Sequence, residues 1–185
     1  MNNIRILSRP QATVYLSPAR FRVLVSGRRF GKTILSIEEL LREVQSGHGK
    51  RCWYVAPTYR QAQQICWQML KDRLSLGNWI ASKNESDLSI VLKKTGNTIS
   101  LRGADNFDSL RGVGLHFLVM DEFADIKPEA WFEVLRATLS DTGGKALFCG
   151  TPKGRNWAYD LFQRGKEPHE RDWASFSYTT GEGGN

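Results

Sequence analysis

Short runs of β-branched and aromatic residues alternate with longer amphipathic stretches along this chain, the pattern that βαβ units give when they build a parallel sheet. Phe21 to Ser26 reads as a strand, and a glycine-bearing turn passes it to a helix from about Lys32 to Gln45, stopped by Gly47 and Gly49. A second strand, Cys52 to Ala56, ends at Pro57. A long polar helix follows, roughly Arg60 to Leu74, in which Ile65, Met69 and Leu70 recur near helical spacing and are expected to face the sheet. Ser89 to Leu92 and Thr98 to Leu101, separated by Thr95-Gly96-Asn97, predict an antiparallel hairpin at a sheet edge. Residues 103–114 read as loop. Leu115 to Met120 is the most apolar run and predicts a buried central strand ending at Asp121-Glu122. Pro128 opens a helix to about Leu139, and Lys145 to Cys149 is another core strand, ending at Gly150-Thr151-Pro152. A helix near Trp157 to Gln163 and a strand near Ala174 to Tyr178 precede a loose glycine-rich tail.

The fold class is therefore α/β, with a mostly parallel sheet and an antiparallel edge hairpin. At 185 residues the chain suffices for one domain, expected over residues 1–180, with 181–185 as the start of a linker. A hydrophobic share of 41% excludes disordered and collagen-like classes. Cys52, Cys66 and Cys149, like the three histidines, are too scattered for a disulfide framework or a zinc site. No apolar run approaches the ~18 residues of a membrane span. Arg5 and Arg9 interrupt anything resembling a leader, so no membrane is expected and the expected location is cytoplasmic.

Charge adds a direction. The net charge is +7, and the excess lies in the first 33 residues, where Arg5, Arg9, Arg20, Arg22, Arg28, Arg29 and Lys32 face no acid. Such a segment either meets phosphate, on a nucleotide or a nucleic acid, or is a solvated basic face.

Ser26-Gly27-Arg28-Arg29-Phe30-Gly31-Lys32-Thr33 favours phosphate, because it matches the phosphate-loop pattern except that Ser26 replaces the leading glycine, the alternative being a basic turn with incidental glycines. Gly31 lets the backbone approach phosphate, Lys32 bridges the terminal phosphates and the Thr33 hydroxyl can ligate Mg²⁺. Gly27, one place late, is expected to supply the turn flexibility that Ser26 lacks. Asp121 and Glu122 end the apolar strand at the edge where open α/β sheets bind ligands. Asp121 suits Mg²⁺ and Glu122 suits accepting a proton from an attacking water, although an acidic pair can also cap the next helix. Together the two motifs favour ATP hydrolysis over mere binding.

Other candidates depend on position. Thr151 either senses the terminal phosphate or merely ends a strand. Arg28 or Arg29 can serve the phosphate from within the loop, whereas Arg111, on a glycine-flanked loop, either reaches a neighbouring subunit's nucleotide or is simply solvated. Gln11 and Tyr15, before the first strand, can read and stack on adenine, but a packing tyrosine explains Tyr15 equally well.

Ser26 to Thr33, Tyr54-Val-Ala-Pro-Thr-Tyr-Arg-Gln-Ala62, Leu110-Arg111-Gly112, Val119-Met-Asp-Glu122, Gly150-Thr-Pro-Lys-Gly154 and Ser177-Tyr-Thr-Thr180 together resemble the ATPase domain of a tailed-phage terminase large subunit. The resemblance covers nearly the whole chain. It implies a three-layer P-loop NTPase of the ASCE, RecA-like type. It also implies that ATP hydrolysis with Mg²⁺ drives double-stranded DNA into a procapsid, from a homo-oligomeric ring working with a portal protein and a terminase small subunit. Carried over by motif, Lys32 and Thr33 are phosphate and Mg²⁺ ligands, Asp121 is the metal carboxylate, Glu122 the catalytic base, and Thr151 lies in the coupling motif. Arg28 and Arg111 become the candidate phosphate sensors. Family members continue into a nuclease domain, so no DNA cleavage is expected of this chain. Two other readings compete: a superfamily 2 helicase fragment, prompted by Asp121-Glu122-Phe123-Ala124 and Gln11, and a truncated nucleotide-binding interaction protein without turnover.

Overall fold

A computed structural model describes residues 7–183. Arg5 therefore lies outside the described residues. Eight strands form one sheet: β1 (Phe21–Ser26), β2 (Arg51–Ala56), β3 (Ile80–Asn84), β4 (Ser89–Leu92), β5 (Thr98–Gly103), β6 (Phe117–Asp121), β7 (Lys145–Gly150) and β8 (Trp173–Tyr178). Their order is β3-β4-β5-β2-β6-β7-β1-β8, parallel from β5 to β8 and antiparallel where β3 and β4 extend the edge.

Alternation along β2 builds three layers. Cys52, Tyr54 and Ala56 enter the core shared with α1 (Arg9–Leu16), α2 (Lys32–Val44) and α3 (59–76), while Trp53 and Val55 enter the opposite core. That second core holds α4 (128–138) and α5 (Trp157–Arg164). Capping boxes start α1, where Ser8 and Gln11 satisfy each other's amides, and α3, where Thr58 and Gln61 do the same.

Three differences from the sequence pattern have physical causes. β3 was not foreseen, because Ile-Ala-Ser-Lys-Asn is almost wholly exposed and carries no apolar alternation; its lysine blunts the free edge. The expected hairpin forms from β4 and β5, but β3 pairs on the outer side of β4, so the edge lies one strand further out. In α3, a π-helical turn at Gln63–Trp67 shifts the buried face to Ala62, Cys66, Trp67, Leu70 and Leu74. Ile65 and Met69, expected to face the sheet, are each 37% exposed instead.

The basic N-terminal excess also divides. Arg22 is buried in β1, paired with Glu39 of α2, and Arg20 donates to the carbonyls of Gly144 (2.9 Å) and Leu139 (3.2 Å). Neither meets phosphate; Arg28, Arg29 and Lys32 reach the cavity described next. The tail is not loose over its described part. Thr180–Gly183 forms a turn that packs on the loop after β1.

Candidate functional site

The C-terminal edges of β1, β6 and β7 meet in register, Val25 opposite Gly150 and Asp121 opposite Cys149. That pairing brings the loop 26–33, the acids 121–122 and Thr151 to one side of the sheet. There, Arg28, Arg29, Gly31, Lys32, Thr33 and Ile34 form one wall of a cavity of about 340 Å³, closed by Asp121 and Glu122 and, from α3, by Ile65 and Met69.

Two left-handed residues shape the loop, Arg29 at φ 63° and Gly31 at φ 90°. Gly31 caps α2 with no side-chain hydrogen bond to its first turn, so that turn's amides face the cavity with the positive end of the helix dipole. Gly27 does not provide the expected turn flexibility, since its φ is not positive. Its role is closeness: a Cβ there would lie 2.2 Å from Thr180 Oγ1 and 2.8 Å from the Thr180 backbone nitrogen. Gly27 N also donates to Tyr178 O at 3.2 Å, and the buried Phe30 ring stacks on Tyr178 at 5.3 Å. The chain leaving β8 thus braces the loop from outside.

Ser26 is buried and its hydroxyl finds no partner, so it ends β1 rather than lining the cavity. Gln11 is close to the loop but turned to another use. Its Nε2 donates to Phe30 O at 2.9 Å and its Oε1 accepts from Ser8 N at 2.9 Å, so both ends of the amide hold backbone instead of offering an edge to a base. Tyr15 is farther still. Its ring lies 4.0 Å from the Arg42 guanidinium, ten residues beyond Lys32 on α2, or about 15 Å of helix. The Tyr15 ring thus packs on Arg42 and is not among the residues that line the cavity.

Lys32 is nearly buried. Its Nζ donates to Gly27 O at 3.3 Å and lies 4.0 Å from Glu122 Oε1. Glu122 sits at φ 46°, a left-handed conformation that costs a non-glycine residue energy and turns its carboxylate toward the loop. Its Oε2 accepts from Thr151 Oγ1 (3.2 Å) and Thr151 N (3.4 Å). Thr151 therefore contacts the Glu122 carboxylate.

Asp121 is 4% exposed, and burial pushes its carboxyl above the ordinary range, against the hydrogen bond that Tyr54 donates to Oδ2. Oδ1 is buried with no hydrogen-bond partner. An orphaned carboxylate oxygen and the Thr33 hydroxyl on the same cavity form a hard oxygen pair that suits Mg²⁺, an ion that takes its remaining ligands from water and phosphate. Among the described residues no group of three His, Cys, Asp or Glu could hold a metal alone.

Arg111 lies elsewhere. It pairs with Asp108 at 3.0 Å, donates to Glu133 O at 3.3 Å and lines a separate cavity with Gly112 and Val134. It does not reach the loop of its own chain, whereas Arg28 and Arg29 do. Sequence reasoning missed Tyr54, Ile34, Ile65 and Met69 as site residues. Ile34 simply follows Thr33 on α2, whereas Tyr54 meets Asp121 through the pairing of β2 with β6, and Ile65 and Met69 reach the cavity from α3.

The family model described as "Terminase large subunit, T4likevirus-type, N-terminal" matches residues 23–184. The chain belongs to this family. It is 33% identical over 175 residues to the terminase large subunit of Thermus virus P23-45, covering 84% of this chain and 36% of that protein. It is 29% identical over 163 residues to that of Escherichia phage T5, covering 86% of this chain and 36% of that one. This terminase chain spans about a third of the length of the curated relatives it matches. Among solved structures, the large terminase ATPase domain of Thermus phage P74-26 has a TM-score of 0.80 at 28% identity, over 91% of this chain and 79% of that one. The large terminase of a thermophilic bacteriophage reaches 0.83 at 18% identity, over 97% of this chain and 47% of that one, a likeness of fold alone. The RecA-like P-loop fold is thus that of large terminases, and membership of the family sets the helicase reading aside.

Proposed function

We propose that this terminase domain hydrolyses ATP with Mg²⁺ and that the turnover drives double-stranded DNA into a procapsid. The observation that carries the reading is the convergence of Lys32, Thr33, Asp121 and Glu122 on one cavity at the end of β1 and β6. Two related proteins support it: the P74-26 domain is described as an ATPase domain, and the large terminase of the thermophilic bacteriophage has been solved with ADP and with ATP-γ-S.

The roles follow from the geometry. The first-turn amides of α2 and Lys32 hold the phosphates, and Lys32 exchanges its hydrogen bond to Gly27 O for a phosphate oxygen. Thr33 and Asp121 would hold the metal, which would supply neutralisation of charge on the phosphate oxygens. Glu122, oriented by Thr151, takes a proton from the attacking water. Arg28 and Arg29 stand on the cavity wall to meet developing negative charge, and Arg111, remote from that cavity, is assigned to a neighbour's site in the proposed homo-oligomeric ring. Portal protein and terminase small subunit are the partners proposed by family membership, with the motor working in the host cytoplasm. No helix among the described residues is long and apolar enough to cross a membrane.

Phosphate release tests the assignment. Wild-type protein should turn over Mg-ATP and Lys32→Ala should abolish it; equal activity in both would refute the site. A chain that binds ATP with no turnover, in the presence of DNA and at ring-forming concentration, would instead be the non-enzymatic binding protein. Duplex DNA binding should be independent of sequence and fall steeply with salt, as the +7 net charge implies. Fluorescence anisotropy from about 50 to 200 mM salt checks this, and salt-insensitive binding would contradict it.

A further inference from the structure

Tyr54 belongs to no phosphate-binding motif, yet it touches the metal carboxylate. It lies in the middle of β2, fully buried, and pairs with Val119 of β6, two residues before Asp121 and on the same face of the sheet. From there its hydroxyl donates to Asp121 Oδ2. The other oxygen, Oδ1, is buried, has no partner, and belongs to a residue that lines the cavity.

This division of labour has a physical consequence. A carboxylate at a strand end turns about two side-chain torsions, and a donor on one oxygen removes that freedom while leaving the other oxygen's lone pairs unengaged. A phenol is suited to the task because it spans the distance between strands and, buried here, needs an acceptor. Partners that orient a metal ligand in this way typically change metal affinity by about 10–100-fold when removed.

We propose that Tyr54 is a positioning residue for the divalent cation: it clamps Asp121 Oδ2 so that Oδ1 stands ready as a ligand beside Thr33. The proposal rests on the reading of the cavity as a Mg-nucleotide site. Tyr54 touches neither nucleotide nor metal, and acts through Asp121 alone.

Fluorescent mant-ADP binding to the whole chain, titrated in EDTA and then against Mg²⁺, separates this role from simple core packing. Tyr54→Phe should bind mant-ADP in EDTA as the wild type does, while the Mg²⁺ concentration giving half the metal-induced change rises about 10–100-fold. Replacing Tyr54 by 4-aminophenylalanine, which keeps the ring and a donor, should restore the wild-type midpoint and also serves if the phenylalanine variant folds poorly. In an Asp121→Asn background, Tyr54→Phe should produce no further change in metal response. A Mg²⁺ midpoint in Tyr54→Phe equal to that of the wild type, an equal loss of affinity in EDTA and in Mg²⁺, or an amino variant that folds but stays shifted would each overturn the proposal. Failure of the wild type to bind mant-ADP at all would instead refute the nucleotide reading, and the role of Tyr54 with it.

Discussion

Glu122→Gln should leave ATP bound and slow its hydrolysis by about 10²–10⁴-fold, the range that a positioned general base contributes. The substitution is nearly isosteric, and its amide oxygen can still accept from Thr151 Oγ1, now 3.2 Å from Oε2. What it loses is the capacity to take a proton. It also loses the negative charge 4.0 Å from Lys32 Nζ, which competes with a phosphate for that ammonium. Binding is therefore retained or tightened while the chemical step is suppressed. Single-turnover phosphate release measured beside mant-ATP affinity distinguishes the two effects. A Glu122→Gln chain that hydrolyses ATP at the wild-type rate would mean that the base lies elsewhere; loss of binding would mean that Glu122 shapes the pocket rather than activating water.

Arg22→Ala should be the most damaging change outside the site. Arg22 and Glu39 are almost completely buried, joining β1 to α2, the two elements that flank the phosphate loop, and the guanidinium also donates to Val14 O at 2.9 Å. Removing it leaves a buried carboxylate with Arg42, a third exposed, as its remaining ion-pair partner. Breaking such a pair costs about 3–5 kcal/mol, which for a domain of this size lowers Tm by roughly 6–20 °C. Burial already pushes Glu39 up from the ordinary carboxylate range against the pull of Arg22 and Arg42. Without Arg22 the shift grows. A carboxyl whose folded pKa is raised contributes stability below its unfolded pKa and loses it as pH rises through the folded value, so the deficit should be smallest in acid and grow toward neutral pH. Urea unfolding in mild acid and again in mild base measures this. The double replacement Arg22→Met with Glu39→Leu, which removes both charges, should recover most of the loss. A cost below about 1 kcal/mol, the value of an exposed pair, would show that the buried bridge does not hold β1 to α2.

Much of the site was legible locally. Asp121 and Glu122 stand at the end of β6, and Lys32 and Thr33 open α2 after the loop that leaves β1, boundaries that periodicity locates, and strand ends in parallel sheets face ligands. Charge counting misled because Arg20 and Arg22 are as basic as Arg28 in composition, yet they are consumed by carbonyls and by a buried acid. Gln11 and Tyr15 misled for a related reason: proximity in sequence to β1 placed them near the loop without showing which way an amide or a ring would turn. The π turn at Gln63–Trp67 re-aimed Ile65 and Met69 into the cavity, and no spacing rule announces an extra residue in a helical turn.

By itself, then, the chain's residue order determined the alternation of strands and helices, the phosphate loop, the acidic pair and the family, because each is written in residues within a few positions of one another. Tertiary structure alone decided that Tyr54 clamps Asp121, that Thr151 holds Glu122, that Glu39 neutralises Arg22 and that Thr180 closes on Gly27. These partners lie between 17 and 153 positions apart and meet only through strand order and register. Pair chemistry at that separation is set by which strands lie side by side, a property of the whole sheet that no local window contains.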